Sequence, residues 1–137
     1  MIWNKNFTQP AMAENVLNSQ FEFVLIFKNE NKPKRSINIA NFRGTVSNVL
    51  NMNPQRNNEF ANIHAATFSI DFAKYFIETF TNETNDIIDL FGGTGTTLIA
   101  CEQTKRNCFM MELDEKYCDV VVKRWEDYTG LKAERIE

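Results

Sequence analysis

A short glycine-rich stretch, DLFGGTGTT at positions 89–97, constrains this chain more than any other feature of its sequence. An apolar run from Ile87 to Phe91 leads into it, and a helix predicted from Thr96 to about Thr104 follows it. Gly93 and Gly95 carry no Cβ where the chain turns, so backbone N–H groups at the helix start can approach a ligand closely. The stretch therefore predicts a strand, a ligand-binding turn and a helix.

A second strand and a third helix are predicted after this turn. The run NCFMMEL, Asn107 to Leu113, has the composition of a strand and carries Glu112 near its end. Asp114 is a suitable N-cap for a helix that Gly130 ends. Doubly wound folds place a carboxylate at the end of this strand to accept hydrogen bonds from ribose hydroxyls. The pattern predicts an α/β fold with parallel strands and a nucleoside-containing cofactor.

The residues around the turn discriminate between cofactors. A phosphate-binding P-loop needs a lysine after its glycines, and none follows here. A nicotinamide fingerprint would have a third glycine where Leu98 stands, and Asp89 would repel a pyrophosphate. The same carboxylate attracts a sulfonium or an ammonium group. A small NAD-binding module and a purely structural turn with an incidental surface Glu112 remain the alternatives.

An earlier helix is predicted from an N-cap at Ser69 to about Phe80. Its apolar residues fall on one face at helical spacing: Ile70, Ala73, Ile77 and Phe80. The aromatic residues Phe72, Phe76 and Phe80 are expected in the core. His64, the single histidine, has no partner at a recognisable spacing and is expected to shape a turn rather than to act as a base.

The amino-terminal half has a different character. Residues 1–27 are predicted to supply a strand segment that ends in FEFVLIF, Phe21 to Phe27, buried on at least one face. Residues 28–63 are rich in Asn, Lys and Arg and are predicted to form an irregular basic insertion with one short strand around Val46 to Leu50, a candidate target-recognition loop or simply a loop. Residues 64–137 are predicted to contain the β-α-β region.

Charge is distributed unevenly between these parts. Residues 28–58 carry six basic side chains and one acidic one, whereas residues 59–137 carry eight basic and fifteen acidic ones. A basic segment suits contacts with DNA phosphates, and a solvated basic loop is the alternative. The best candidates for DNA contact are Lys32, Lys34, Arg35 and Arg43.

Residues 64–128, with HAATFSIDFAKYFIETF followed by DLFGGTGTTLIACEQTKRNCFMMELDEKYCDVVVKRW, resemble the permuted, beta-class DNA amino-methyltransferases of restriction-modification systems and phages. The family pattern D-P-F-x-G-S-G-T corresponds to Asp89 through Thr96, with Leu90 in place of Pro and Thr94 in place of Ser. The stretch IWNK near the amino terminus is less specifically similar to a strand segment of that family.

The resemblance implies a partial Rossmann-like, S-adenosylmethionine-dependent methyltransferase fold. It implies methyl transfer from S-adenosyl-L-methionine to the exocyclic amino group of adenine, or less readily cytosine, in DNA. By the resemblance, Glu112 holds the ribose, Phe91 and Leu113 flank the adenine, and the turn from His64 to Phe68 approaches the methionine end. The cofactor-binding residues expected are Phe68, Asp89, Phe91, Gly93, Gly95, Thr96, Thr97, Glu112 and Leu113.

The family's catalytic loop, [DNS]-P-P-[YFW], has no counterpart in this sequence. Such a loop stacks a flipped base on an aromatic ring and polarises its amino group. The three prolines, Pro10, Pro33 and Pro54, are not adjacent, and Asn53-Pro54-Gln55 lacks the second proline and the aromatic residue. No catalytic residue is assigned. The chain is expected to be a fragment or a split subunit that is inactive alone. A non-catalytic accessory subunit or a relic is the alternative.

Two further expectations concern partners and location. The strand from Ile87 to Phe91 is expected to expose an edge that recruits a second polypeptide or a second copy of the chain. The amino-terminal stretch MIWNKNFTQP lacks the apolar region of a signal peptide, and no apolar run is long enough for a membrane helix, so a cytoplasmic protein with no membrane contact is expected. Cys101, Cys108 and Cys118 form no C-x-x-C motif; they are expected to be small buried residues, and no metal is implied.

Overall fold

The computed structural model describes residues 1–6, 14–27, 46–54 and 68–136, and the chain divides into two compact units, Met1–Pro54 and Gln55–Glu137. Within the described ranges, no helix has both the length and the apolar character needed to cross a bilayer. Most of the predicted basic insertion, residues 28–63, lies outside these ranges, so the three-part division of the chain stays a prediction.

The first unit contains a three-stranded sheet. Its strands are β1 (Ile2–Asn4), β2 (Phe21–Phe23) and β3 (Val49–Asn51), in the order β2-β1-β3, with β1 antiparallel to β2 and parallel to β3. Trp3 and Leu50 are register partners across the parallel pair, and both are buried. The indole Nε1 of Trp3 donates to the carbonyl of Met52 at 2.8 Å, which satisfies the polar atom of a buried ring.

The prediction of a buried strand over Phe21 to Phe27 is wrong in both length and burial. β2 covers three residues, all of them exposed, and Phe27 beyond it is 85% exposed. Strand propensity is local, but burial requires a second layer packed on the sheet, which an apolar run cannot supply by itself. The short strand predicted around Val46 to Leu50 is present, but it begins at Val49.

The second unit is built around a β-α-β crossover. Its elements are α1 (Ile70–Phe80), β4 (Asp86–Asp89), α2 (Thr96–Thr104), β5 (Asn107–Met110) and α3 (Glu115–Thr129). β4 and β5 are parallel and place Ile88 opposite Phe109. Parallel strands joined by a helix confirm the predicted partial Rossmann-like α/β fold.

The helix ends in this unit match the local signals in the sequence. The Ser69 hydroxyl accepts a hydrogen bond from the N–H of Phe72 at 3.0 Å and begins α1. The Asp114 carboxylate accepts from the N–H of Lys116 at 2.9 Å and begins α3, which Gly130 ends in a left-handed conformation. Both predicted N-caps are confirmed.

The core of the second unit lies between α1 and α2. Ala73 and Ile77 on α1 pack with Ala100 and Cys101 on α2, as the predicted apolar face of α1 requires. Ala100 and Cys101 have no exposed surface, so a larger side chain at either position would force the helices apart. Partly buried residues complete this cluster: Phe68, Ile70, Ile87 and Cys108.

The opposite face of the two-stranded sheet is exposed. Ile88 and Phe109, which are register partners, are 70% and 58% exposed. Leu90 and Met111, each two residues later in the sequence, are also exposed. Because side chains alternate between the faces of a sheet, Ile88 and Phe109 lie on the side away from the core, and the exposed Leu90 and Met111 follow just beyond the strand ends. The described residues leave that face uncovered.

Several details differ from the sequence-based expectations. β4 ends at Asp89 and β5 at Met110, short of Phe91 and Leu113, because the regular ladder stops where the glycine turn begins. Phe72, Phe76 and Phe80 are half-buried, and their rings contact in series along α1 with centroids 4.9 and 6.1 Å apart, outside the core cluster. Of the three cysteines, Cys101 is buried and Cys108 half-buried, but Cys118 on α3 is exposed, as are many residues of this helix, none of which is fully buried.

Candidate functional site

The candidate site begins where the chain leaves β4. The Asp89 carboxylate accepts from the N–H of Phe91 at 3.0 Å, which turns the backbone sharply after the strand. The Asp89 carbonyl accepts from the N–H of Met111 at 2.9 Å, and the N–H of Gly92 donates to the Met111 carbonyl at 2.9 Å. The turn therefore stays hydrogen-bonded to the segment that follows β5.

Gly92 is a glycine for steric reasons. A Cβ atom at this position would overlap the side chain of Met110 and would lie 3.3 Å from the carbonyl oxygen of Met111. Its role is close packing of the turn against β5. The sequence did not single out Gly92, because its crowding arises from a residue far along the chain.

Gly93 combines a left-handed backbone with open space. Its φ is 53°, and, apart from its chain neighbours, no atom of the described residues lies within 4 Å of the position that a Cβ would occupy. Its N–H donates to the Glu112 carboxylate at 2.6 Å. The open space beside this backbone is one that a bound ligand could fill.

The Glu112 carboxylate joins the two motifs that the sequence predicted to act together. One oxygen accepts from Gly93, and the other accepts from the N–H groups of Leu113 and Asp114, each at 2.9 Å. Glu112 lies two residues beyond β5 rather than within the strand. Hydrogen bonds from three backbone amides fix the carboxylate at the edge of the turn.

α2 starts from Gly95, which has a φ of 80°. A Cβ on Gly95 would lie 3.2 Å from a methyl carbon of Val121, so α3 packs directly against this glycine. Gly95 has no side chain to cap the helix, and α2 therefore begins without the side-chain hydrogen bond that α1 and α3 have. Thr96 is buried and Thr97 half-buried in the first turn.

Two features of the turn escaped the sequence analysis. Arg124 on α3 donates from Nη1 to the carbonyl of Thr94 at 2.9 Å and to the hydroxyl of Thr96 at 3.3 Å. The Thr94 hydroxyl is buried and has no hydrogen-bond partner within the part of the chain that the structure describes. The spacing of Val121 and Arg124, three residues apart in the predicted third helix, places them on one helix face, but it does not indicate which residues they contact.

Of the remaining predicted cofactor residues, two are exposed beside the turn and one packs on the core. Phe91 and Leu113, at the two sides of the turn, are 88% and 97% exposed. Phe68 packs on the core cluster beside α1, with its ring centroid 5.5 Å from that of Phe72. His64 and the candidate DNA-contacting residues Lys32, Lys34, Arg35 and Arg43 lie outside the described residues.

A separate apolar groove of about 440 Å³ lies between α2, α3 and the segment after α3, lined by Leu98, Val121 and Trp125 among others. None of the predicted cofactor residues lines it. The hydrogen bond to Cys108 and burial together raise the pKa of Cys101 far above its usual range. Cys101 is therefore a neutral thiol rather than a nucleophile.

The chain is similar to a curated methyltransferase and to solved methylase structures. The Type II methyltransferase M.Cfr9I of Citrobacter freundii is 29% identical over 134 residues, a match that covers 90% of this chain and 42% of the relative. The chain thus spans less than half the length of this curated relative.

Solved structures share the fold. TTHA0409, a putative DNA modification methylase from Thermus thermophilus solved with S-adenosyl-L-methionine, superposes with a TM-score of 0.62 at 20% identity, covering 100% of this chain and 56% of that one. The PvuII DNA methyltransferase, described as cytosine-N4-specific, gives a TM-score of 0.52 at 25% identity, covering 58% of this chain and 32% of that one.

The match to a family model covers most of the sequence. The model is described as DNA methylase, its name specifies N6 and N4 methyltransferases, and it matches residues 1–123. This range includes the glycine turn and Glu112, the residues on which the sequence resemblance rested. The chain belongs to the DNA methylase family of N6 and N4 amino-methyltransferases.

Proposed function

We propose that this chain binds S-adenosyl-L-methionine at the glycine turn and forms part of a DNA methyltransferase of the permuted, beta class. The observation that carries the proposal is the hydrogen bond between Gly93 and Glu112 at the border of an open space. The bound cofactor would supply a sulfonium methyl group for transfer to the exocyclic amino group of adenine, with cytosine as the alternative.

The residues at the turn suit this cofactor. The open space over Gly93 is the proposed place of the nucleoside, and the Glu112 carboxylate is the proposed acceptor for its ribose hydroxyls. The N–H groups of Thr96 and Thr97 at the start of α2 suit a carboxylate, because a helix N-terminus carries partial positive charge. Asp89 favours a cationic ligand over a pyrophosphate.

Apolar groups complete the proposed site. The exposed side chains of Phe91 and Leu113 are proposed to flank the adenine, and Phe68 is proposed from the resemblance to approach the methionine end. Exposed apolar side chains on both sides of a binding turn gain stability when a flat aromatic ligand covers them. We assign these roles from the family resemblance and from the positions of Gly93 and Glu112.

Methyl transfer is proposed to require a catalytic loop of the [DNS]-P-P-[YFW] type from outside these 137 residues, since they contain no adjacent prolines. A second polypeptide is the proposed source. The exposed apolar face that includes Ile88 and Phe109, next to the free edge of β4 in the described part of the chain, is the surface it would cover. A monodisperse monomer by light scattering, with no binding to a polypeptide carrying the loop, would contradict this association.

DNA is the proposed substrate, held by the basic insertion. Replacing Lys32, Lys34, Arg35 and Arg43 with Gln should make the negative slope of log affinity against log salt shallower by about 3 to 4, since each phosphate contact contributes about −0.9. The matched control replaces four exposed lysines of the second unit, Lys105, Lys116, Lys123 and Lys132, and should change the slope little. Equal slopes for both variants would refute a specific role for the insertion.

Calorimetry tests the cofactor assignment. The chain should bind S-adenosyl-L-methionine and not NAD, and Glu112→Gln should weaken binding at least about tenfold, because hydrogen bonds to a charged acceptor contribute about 1.5–3 kcal/mol. Glu115→Gln, the same change at an exposed position three residues away, is the control. Binding of NAD instead would support the nicotinamide module.

A transfer assay separates an enzyme part from an accessory subunit or a relic. The chain is mixed with a polypeptide carrying the D-P-P-Y-type loop, labelled cofactor and DNA, and the nucleosides are identified by mass spectrometry. N6-methyladenine is expected, and N4-methylcytosine would move the proposal to cytosine. Cofactor binding without any transfer would favour the accessory reading.

A further inference from the structure

Arg124 forms a link between α3 and the glycine turn that the proposed cofactor contacts do not include. The residue is half-buried, and its Nη1 donates to the Thr94 carbonyl at 2.9 Å and to the Thr96 hydroxyl at 3.3 Å. Arg124 is thirty residues from Thr94 and twenty-eight residues from Thr96 in the sequence, so the link depends on tertiary structure alone.

α3 contacts the turn at two consecutive positions of one helix face. Val121 packs on Gly95, where an added Cβ would lie 3.2 Å from its methyl carbon. Arg124, three residues later, binds the residues on either side of that glycine. Together these two side chains hold the segment Thr94–Thr96.

This segment needs a restraint from outside. Gly93 and Gly95 both have positive φ, and glycine samples many backbone conformations, so the turn has little intrinsic preference for this shape. Met110 and Met111 hold Gly92, and Glu112 holds Gly93. Beyond Gly93, the N–H of Gly95 donates to the Gly92 carbonyl at 2.9 Å within the turn, and Val121 and Arg124 of α3 supply contacts from outside it.

The chemistry of the link suits a ligand-binding turn. Both hydrogen bonds from Arg124 end on oxygen atoms, so they occupy none of the N–H groups at the start of α2. A guanidinium stays charged at all ordinary pH values, so the restraint does not depend on pH. A rigid turn binds a ligand without the entropic cost of ordering flexible glycines.

We propose that Arg124 is a positioning residue for the cofactor: it fixes Thr94–Thr96 so that the start of α2 is prepared to bind the carboxylate end of S-adenosyl-L-methionine. This inference rests on the proposed function and adds a residue to it. Arg124 acts through Thr94 and Thr96 and is not proposed to touch the cofactor.

The test uses the full chain with Arg124→Met, Arg124→Lys and the control Lys123→Met. Lys123 is exposed on the same helix, so its replacement removes one positive charge from α3 without disturbing the turn. Calorimetry is performed well below each melting temperature, where every variant is folded. Arg124→Met should raise the Kd for S-adenosyl-L-methionine at least tenfold, Arg124→Lys should recover part of the loss, and Lys123→Met should stay within twofold of the parent.

Amide hydrogen exchange without ligand provides a second readout. Arg124→Met should speed exchange in residues 93–97 and leave α1 unchanged. Thr96→Val, which removes one of the two acceptors and keeps the backbone, should raise the Kd by about threefold; it keeps the proposal testable if Arg124→Met fails to fold.

The outcomes separate the two proposals. A parent chain that binds no S-adenosyl-L-methionine overturns the proposed function and the role of Arg124 with it. A parent that binds the cofactor, with Arg124→Met or Thr96→Val binding equally well, overturns the role of Arg124 alone. A loss of melting temperature with an unchanged Kd would show a purely structural residue and would also overturn it.

Discussion

The Glu112 carboxylate joins the turn that precedes α2 to the residues that precede α3, but the two helices are capped in different ways. α3 begins at Asp114, whose side chain accepts from the N–H of Lys116, and α1 begins in the same manner at Ser69. α2 begins at Gly95, in a left-handed conformation and with no side chain. In the first turn of α3 the cap residue satisfies the N–H of Lys116, whereas α2 has no side-chain cap, which is the arrangement that the proposed carboxylate contact requires. The comparison sets a capped helix start beside the uncapped one at which we propose that the cofactor binds.

The largest expected loss of stability is at Gly95, the N-cap residue of α2. Gly95→Ala should cost about 3 kcal/mol of the free energy of unfolding, from about 1–2 kcal/mol of left-handed strain and a further contribution from the overlap with Val121. Urea denaturation measures it. Gly130→Ala is the control, because Gly130 also has positive φ but open space around it, so it should lose the strain alone. Equal losses at both positions would mean that the contact with α3 is unimportant.

A smaller loss of stability is expected at the open glycine of the turn. Gly93→Ala should cost about 1–2 kcal/mol, since its φ is positive and no atom of the described part of the chain crowds the added methyl group. Affinity for S-adenosyl-L-methionine should nevertheless fall more than about tenfold, because the methyl group enters the space proposed for the ligand. Urea denaturation and calorimetry on the same sample separate the two effects. Unchanged affinity would place the cofactor elsewhere.

The smallest effect is expected at the start of α3. Asp114→Ala should lower the free energy of unfolding by about 1 kcal/mol, the usual contribution of an N-cap, with or without cofactor. Asp114→Asn keeps a capping oxygen and should retain most of the stability. If cofactor protected Asp114→Ala more than the parent chain, the start of α3 would belong to the binding site and the contrast with α2 would fail.

Local features of the fold were predictable with good accuracy. The start of α1 at Ser69, the extent of α2 and the two ends of α3 agree with the sequence, because caps and helical periodicity depend on neighbouring residues. The pairing of the glycine turn with Glu112 followed from spacing, and the hydrogen bond from Gly93 places the two in contact. Strand lengths and the burial of Phe21 to Phe27 were not predictable, because they depend on which layers pack together.

The sequence by itself determined the order of elements, the glycine turn and the acidic residue that meets it, since each depends on residue type and short-range spacing. Only the tertiary structure decided that Gly92 packs against Met110, that Val121 contacts Gly95, and that Arg124 bonds to Thr94 and Thr96. These contacts join residues far apart in the chain, so their geometry is set by how the strands and α3 pack together.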